Sequence, residues 1–261
     1  MAGHSHSANI KHKKALVDSK RSKLWSKMSK AIIVAAKLGG GDPDANIRLR
    51  AAIIDAKAVS VPKDNIERAI KKGIGELEGG DVEEILYEGY GPAGVAIMCD
   101  IMTDNRNRTA PEIRKIFDVH GGNLGGTGCV SYMFERKGVI VIVPTNGNEE
   151  KVIELAIEHG AQDADIVDGK IEIYTLPENF TEVTTAFESA NIAMEVKEIT
   201  RIAQNTVDVD VETAKRVLKL LEVLEDHDDV QTVSTNLNFN NAAVAELAGL
   251  HPAAPPTSSY S

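Results

Sequence analysis

The stretch between Gly138 and Ile202 constrains the fold most. It opens on the apolar run "GVIVIVP" and continues through "NEEKVIELAIEHG". It then gives "ADIVDG" and "KIEIYTLP" on either side of a turn, and closes with "FTEVTTAFESAN" and "IAMEVKEITRI". Short apolar or alternating runs bounded by Gly, Pro and Asp read as strands. Apolar residues recurring at three and four positions read as helices. The resulting order, βαββαβ, is ferredoxin-like.

The flanking segments complete one another. "GVAIMCDIMTD" reads as a strand and "TAPEIRKIFDVHGG" as a helix, with Thr109 and Glu112 at capping-box spacing. "NLGG" and "CVSYMFERKG" read as strands around a glycine-rich hairpin, so residues 94–137 give β, α, β, β and lack a closing αβ. "VETAKRVLKLLEVLEDHDD" and "VQTVSTNLNF", in residues 210–239, supply it. "ILYEGYGP" is expected to add an edge strand.

Upstream, three short amphipathic helices are predicted over 22–75. The first buries Leu24, Met28, Ile32 and Ala35, and turns Lys23, Lys27, Lys30 and Lys37 outward. The second, capped by Asp42 with Pro43 at its first position, buries Ile47, Ala51, Ile54 and Ala58. The third carries Ile66, Ala69 and Ile70 and ends at Gly73.

The expected class is therefore α+β, an N-terminal three-helix bundle followed by two ferredoxin-like α/β domains, one inserted in the other. A flexible basic arm occupies 1–21 and the helical domain 22–75. One ferredoxin-like domain comprises 82–137 plus 208–240, the other 138–207, and a Pro/Ser-rich disordered tail covers 241–261.

Charge divides along the same line. Residues 1–75 carry 16 Lys/Arg against 6 Asp/Glu, whereas the whole chain has net charge -10. A basic module joined to an acidic body points to a polyanion at one end. The expected nucleic-acid-binding residues are Lys11, Lys13, Lys14, Lys20, Arg21, Lys23, Lys27, Lys30, Lys37, Arg48, Lys71 and Lys72. Arg106 and Arg108, placed before the Thr109 cap, form a candidate anion site, since helix N-termini and arginine forks favour phosphate. Trp25, amid lysines, either stacks on a base or joins the bundle core, and the core is the expectation.

No motif points to catalysis. "HGGNLGGTGCV" lacks the Gly-Lys-Ser/Thr ending of a phosphate loop. His4, His6 and His12 have no carboxylate or thiolate beside them, so no metal is expected. Cys99 and Cys129 lie far apart, which argues against a disulfide framework and for a reducing, cytoplasmic setting. No apolar run reaches the ~18 residues of a membrane span. No cofactor and no small-molecule substrate are expected, and the oligomeric state is not legible.

The segments "AGHS", "ANIKHKK", "LGGGDPDAN" with "RLRAAI", "PKDNIERAIKKG", "YEGYGPAGVA", "TDNRNRT" and "GGNLG" together resemble the YebC/PmpR family over residues 1–240. That family includes the mitochondrial translational activator of cytochrome c oxidase subunit one. The resemblance implies a basic three-helix N-terminal domain followed by two α/β domains. It also implies a DNA-binding transcriptional regulator or a ribosome-associated translation factor bound to ribosomal RNA, with no enzymatic activity. Where the family start reads Gly-His-Ser-Lys-Trp-Ala-Asn, this chain has His6 and Ser7 in place of Lys-Trp, losing one charge and one ring. Trp25 stands where relatives carry another aromatic.

Overall fold

In the computed structural model, residues 21–145, 147–167 and 169–238 are described. Lys11, Lys13, Lys14 and Lys20 of the expected arm, and the tail over 241–261, lie outside them. Two units form. One comprises described residues 21–131 and 212–235, the other 132–211 and 236–238.

The first unit begins with three helices, α1 (Arg21–Gly39), α2 (Ile47–Ala58) and α3 (Lys63–Gly73). The helix α1 packs on both others. Its second half is buried all round, from Ile32 to Ala36. Gly73 lies where α3 crosses α1, and a Cβ there would come within 2.5 Å of the Ile33 carbonyl oxygen. Trp25 packs against this core and donates its indole N–H to the Val59 carbonyl at 3.1 Å.

Two expectations for α2 fail. Asn46, not Asp42, is its N-cap, accepting from the Leu49 N–H at 3.0 Å. The Asn46 amide also donates to the Ala35 and Gly40 carbonyls, both at 2.8 Å, so one side chain starts α2 and fastens the end of α1. The buried face is Leu49, Ala52, Ile53 and Ala56, whereas Ile47 is 66% and Ile54 50% exposed. "IRLRAAIIDAKA" carries two apolar stripes, and packing against α1 selects one.

The rest of this unit is a sheet of β1 (Glu83–Tyr90), β2 (Ala96–Thr103), β3 (Asn123–Leu124) and β8 (Val230–Thr235) in the order β3-β1-β2-β8. Its helices are α4 (Arg106–Val119) and α7 (Val211–Glu225). β1 is not an edge strand. It pairs with β2 over its full length and with β3 at Gly89 and Tyr90, taking the third-strand place of a ferredoxin-like sheet.

The expected glycine-rich hairpin is also absent. β3 pairs with β1, and residues 125–131 fold over the buried Glu88 carboxylate. That carboxylate accepts from the N–H groups of Gly128, Val130 and Ser131 at 2.8, 2.9 and 2.8 Å. Burial alone would raise the Glu88 pKa; the three backbone donors outweigh it and hold the carboxyl below its ordinary value.

The second unit is β4 (Phe134–Ile142), α5 (Glu149–Glu158), β5 (Ala161–Val167), β6 (Lys170–Thr175), α6 (Phe180–Ser189) and β7 (Val196–Ala203). Its antiparallel sheet order, β5-β6-β4-β7, is that of the βαββαβ pattern. Ile140, Ile142, Ile171 and Ile173 pack with Val152, Val183 and Phe187 of the helices. Val139 and Val141, on the other face of β4, are buried too, which explains the unbroken apolar run. Phe134–Lys137, read from sequence as part of a strand of the first domain, belong to β4 of this sheet.

Candidate nucleic-acid interface

The lysines of α1 are not an open ridge. Three of them turn toward the end of α7 and the loop before β8, residues 225–229. Lys27 donates to the Glu225 carbonyl at 2.6 Å, and Lys23 donates to the Asp226 carbonyl and carboxylate at 2.9 and 3.0 Å. Lys30 donates to the Asp228 carbonyl at 3.0 Å and pairs with the Asp229 carboxylate. A helix C-terminus presents unpaired carbonyls and partial negative charge, and "EDHDD" adds carboxylates to it. Burial lowers the Lys27 pKa, against the opposing pull of Glu225, Asp226 and Asp228.

Asp229 is the hub. Besides Lys30, it accepts from the Thr109 hydroxyl at 2.6 Å and from Arg108 Nη2 at 2.9 Å, and Thr103 Oγ1 lies 3.2 Å away. Burial would raise the Asp229 carboxyl pKa; the bonds from Lys30, Thr109 and Arg108 dominate and hold it far below the carboxylate range. Three elements distant in sequence, α1, α4 and the α7–β8 loop, thus meet on one side chain.

Arg106 and Arg108 do not precede a cap at Thr109. The helix starts at Arg106 with Asn105 as N-cap, accepting from the Arg108 N–H at 3.1 Å. Thr109 is inside the helix and fully buried. Arg108 is committed to Asp104 and Asp229, at 3.1 and 2.9 Å. Arg106 is exposed and has no ion pair among the described residues.

Glu112, His227 and Asp229 bring metal-ligand atoms within 4.8 Å of one another. Their bonding does not fit a metal. His227 Nδ1 accepts the Asp229 N–H at 3.1 Å, so Nε2 carries the ring proton and donates to Glu112, also at 3.1 Å. No ring lone pair is left, and the Asp229 oxygens already face four donors, on Lys30, Thr109, Arg108 and Thr103. The adjoining groove, about 670 Å³, is lined by Lys23, Lys30 and Arg108 but also by five carboxylates. It offers phosphate no net attraction.

The other expected residues divide. Lys37 lies 3.7 Å from Asp81, and Arg48 pairs with Glu84. Arg21 begins α1. Lys71 and Lys72, in the last turn of α3, form no ion pair among the described residues. Arg68, not singled out from the sequence, is exposed and equally unpaired. It stands three and four residues before them, and that spacing is the signal that could have found it. The three share one side of α3; Lys57, at the end of α2, is exposed and likewise forms no ion pair among the described residues. Ile66 and Ala69, buried against α1, fix the helix that carries them. The arrangement can hold phosphates on a rigid element.

Comparison with known proteins places the chain. A family model described as the TACO1/YebC protein N-terminal domain matches residues 5–76, and one described as the TACO1/YebC second and third domain matches 82–237. The chain is similar to a probable transcriptional regulatory protein of Rhodopirellula baltica, 61% identical over 247 residues, covering 94% of this chain and 100% of that one. A probable transcriptional regulatory protein of Natranaerobius thermophilus is 56% identical over 245 residues, covering 93% and 98%. Among solved structures, a conserved hypothetical protein from Aquifex aeolicus superposes with TM-score 0.76 at 51% identity, covering 85% of this chain and 91% of that one.

Proposed function

Since the chain belongs to the TACO1/YebC family, we propose that it is a non-enzymatic, cytoplasmic regulator of gene expression that binds the phosphodiester backbone of nucleic acid. The observation that carries this reading is the set Arg68, Lys71 and Lys72 on one side of α3, without ion pairs among the described residues, where most neighbouring cations have internal carboxylate partners. Lys and Arg displace counterions condensed on phosphate, so affinity arises without base reading. The relatives are named probable transcriptional regulatory proteins, which favours transcription, and duplex DNA is the polymer that role would engage.

A second reading, a translation factor on ribosomal RNA, is favoured by one feature of α3. Its exposed first turns carry Asp64 and Glu67. A recognition helix uses those N-terminal turns to contact bases in the major groove, where carboxylates meet phosphate repulsion.

Fluorescence anisotropy with labelled duplex DNA and with purified ribosomal RNA, over a range of salt, tests the proposal. Salt-sensitive binding to duplex DNA supports it. Preferential retention by ribosomal RNA under DNA competition selects the second reading. Failure to bind either polymer contradicts both.

A further inference from the structure

The helix α4 carries a second set of unpaired cations. Arg106, Arg114 and Lys115 are exposed, and none of their side chains forms an ion pair or hydrogen bond among the described residues. Other cations of the acidic body divide: Lys215 and Lys219 of α7 each find a glutamate three residues away, whereas Arg136, Lys151 and Arg216 form no ion pair among the described residues. Local carboxylates do not account for the difference. Asp118 stands four residues after Arg114 and three after Lys115, both pairing distances on a helix, yet pairs with neither. Asp104 is held by Arg108, and Glu112 by His227.

The surface between these cations is low and firm. Arg106, Ala110 and Arg114 follow one another at intervals of four, beside the parallel row Asn107, Pro111 and Lys115. Ala110 and Pro111 are small, and a shallow depression of about 300 Å³ lies over them, flanked by Arg114, Lys115 and one carboxylate, Asp118. The side of α4 opposite Pro111 and Lys115 is anchored by Thr109, Ile113 and Phe117, all fully buried. The cations therefore stand on a rigid rod, with two residues between them too short to obstruct a polymer.

We propose that this face of α4 is a second phosphodiester contact, holding the same nucleic acid as α3. The inference rests on the nucleic-acid reading above and adds a surface to it. Arg114 and Lys115 grip the backbone across the Ala110–Pro111 floor, beside the exposed Asp118, and Arg106, two turns before Arg114 and half a turn round from Lys115, adds a contact to a polymer that follows the helix toward its N-terminal end, where the helix dipole also favours phosphate. Two contacts on one chain raise avidity and fix how the acidic body is held against a polyanion that would otherwise repel it.

The test is the full chain carrying R106Q, R114Q and K115Q together, with R106K/R114K as a charge-conserving control. Affinity for duplex DNA and for ribosomal RNA is measured against salt. With whichever polymer the unaltered chain binds, the glutamine variant is expected to bind at least about tenfold more weakly, with a log–log salt slope shallower by about two to three units. The control is expected to keep the slope. Wild-type affinity and slope in the glutamine variant would overturn the inference while leaving the α3 reading intact. No binding by the unaltered chain would remove the reading itself, and the inference with it.

Discussion

Lys30 and Asp229 stand 199 residues apart in the chain and form an ion pair whose side chains are only 15% and 3% exposed. Asp229 also receives Thr109 and Arg108, so the pair ties the helical domain to the sheet that carries α4. Removing one partner of a buried pair leaves the other charge uncompensated, which typically costs about 3–5 kcal/mol. D229A is expected to lose stability of that order in chemical denaturation. Replacing Lys23, Lys27 and Lys30 with Gln is expected to lower the melting temperature as well, since all three lysines donate to the α7–β8 segment.

Acid should find the same site. The folded Asp229 carboxyl lies below its ordinary value, as does Glu88. A depressed carboxylate pKa means stability that is present above the unfolded value, about 4, and lost as pH falls from there toward the folded value. Denaturation midpoints measured from pH 7 downward should therefore decline below about pH 4. D229N should start lower and decline less steeply; a wild-type slope in D229N would contradict the assignment.

Glu88 makes a separate prediction. Its carboxylate satisfies three backbone donors of the glycine-rich loop. E88A is expected to cost at least about 2 kcal/mol, because the buried Val130 N–H and the part-buried N–H groups of Gly128 and Ser131 lose their acceptor. Hydrogen exchange at Gly128, Val130 and Ser131 should accelerate more than at β2 amides. Equal acceleration everywhere would show that Glu88 supports the whole unit, not the loop.

The two stripes of α2 can be told apart by substitution. Leu49→Ala, on the buried face, should cost about 2–5 kcal/mol. Ile54→Gln, on the exposed face, should change stability by less than about 0.5 kcal/mol. Thermal denaturation of both variants decides which face packs.

What is legible in the sequence depends on the range of each interaction. The βαββαβ pattern of β4 to β7 and the three helices are local, and periodicity reveals them. The α2 face is not legible, because Ile47, Ala51, Ile54 and Ala58 look as apolar as Leu49, Ala52, Ile53 and Ala56 until α1 is in place. Strand order is not either, because nothing in "ILYEGYGP" tells an edge from an interior strand. The fate of the α1 lysines depends on residues 225–229, about two hundred positions away, and net charge counts cations without saying which are engaged. Charge alone points to Lys71 and Lys72. Arg68, on the same side of the same helix, joins them only when helical position is used to group cations.

The central claim is that the unpaired cations of α3 hold phosphate. The most direct measurement is the salt dependence of duplex DNA binding by the full chain with R68Q, K71Q and K72Q, beside the unaltered protein. The variant should melt at the unaltered temperature, because none of the three side chains has an internal partner among the described residues. Removing one phosphate-binding cation should reduce the log–log salt slope by about 0.9. The triple variant should therefore show a slope shallower by about two to three units and clearly weaker binding. A variant that is equally stable and binds with unchanged affinity and slope would contradict the claim.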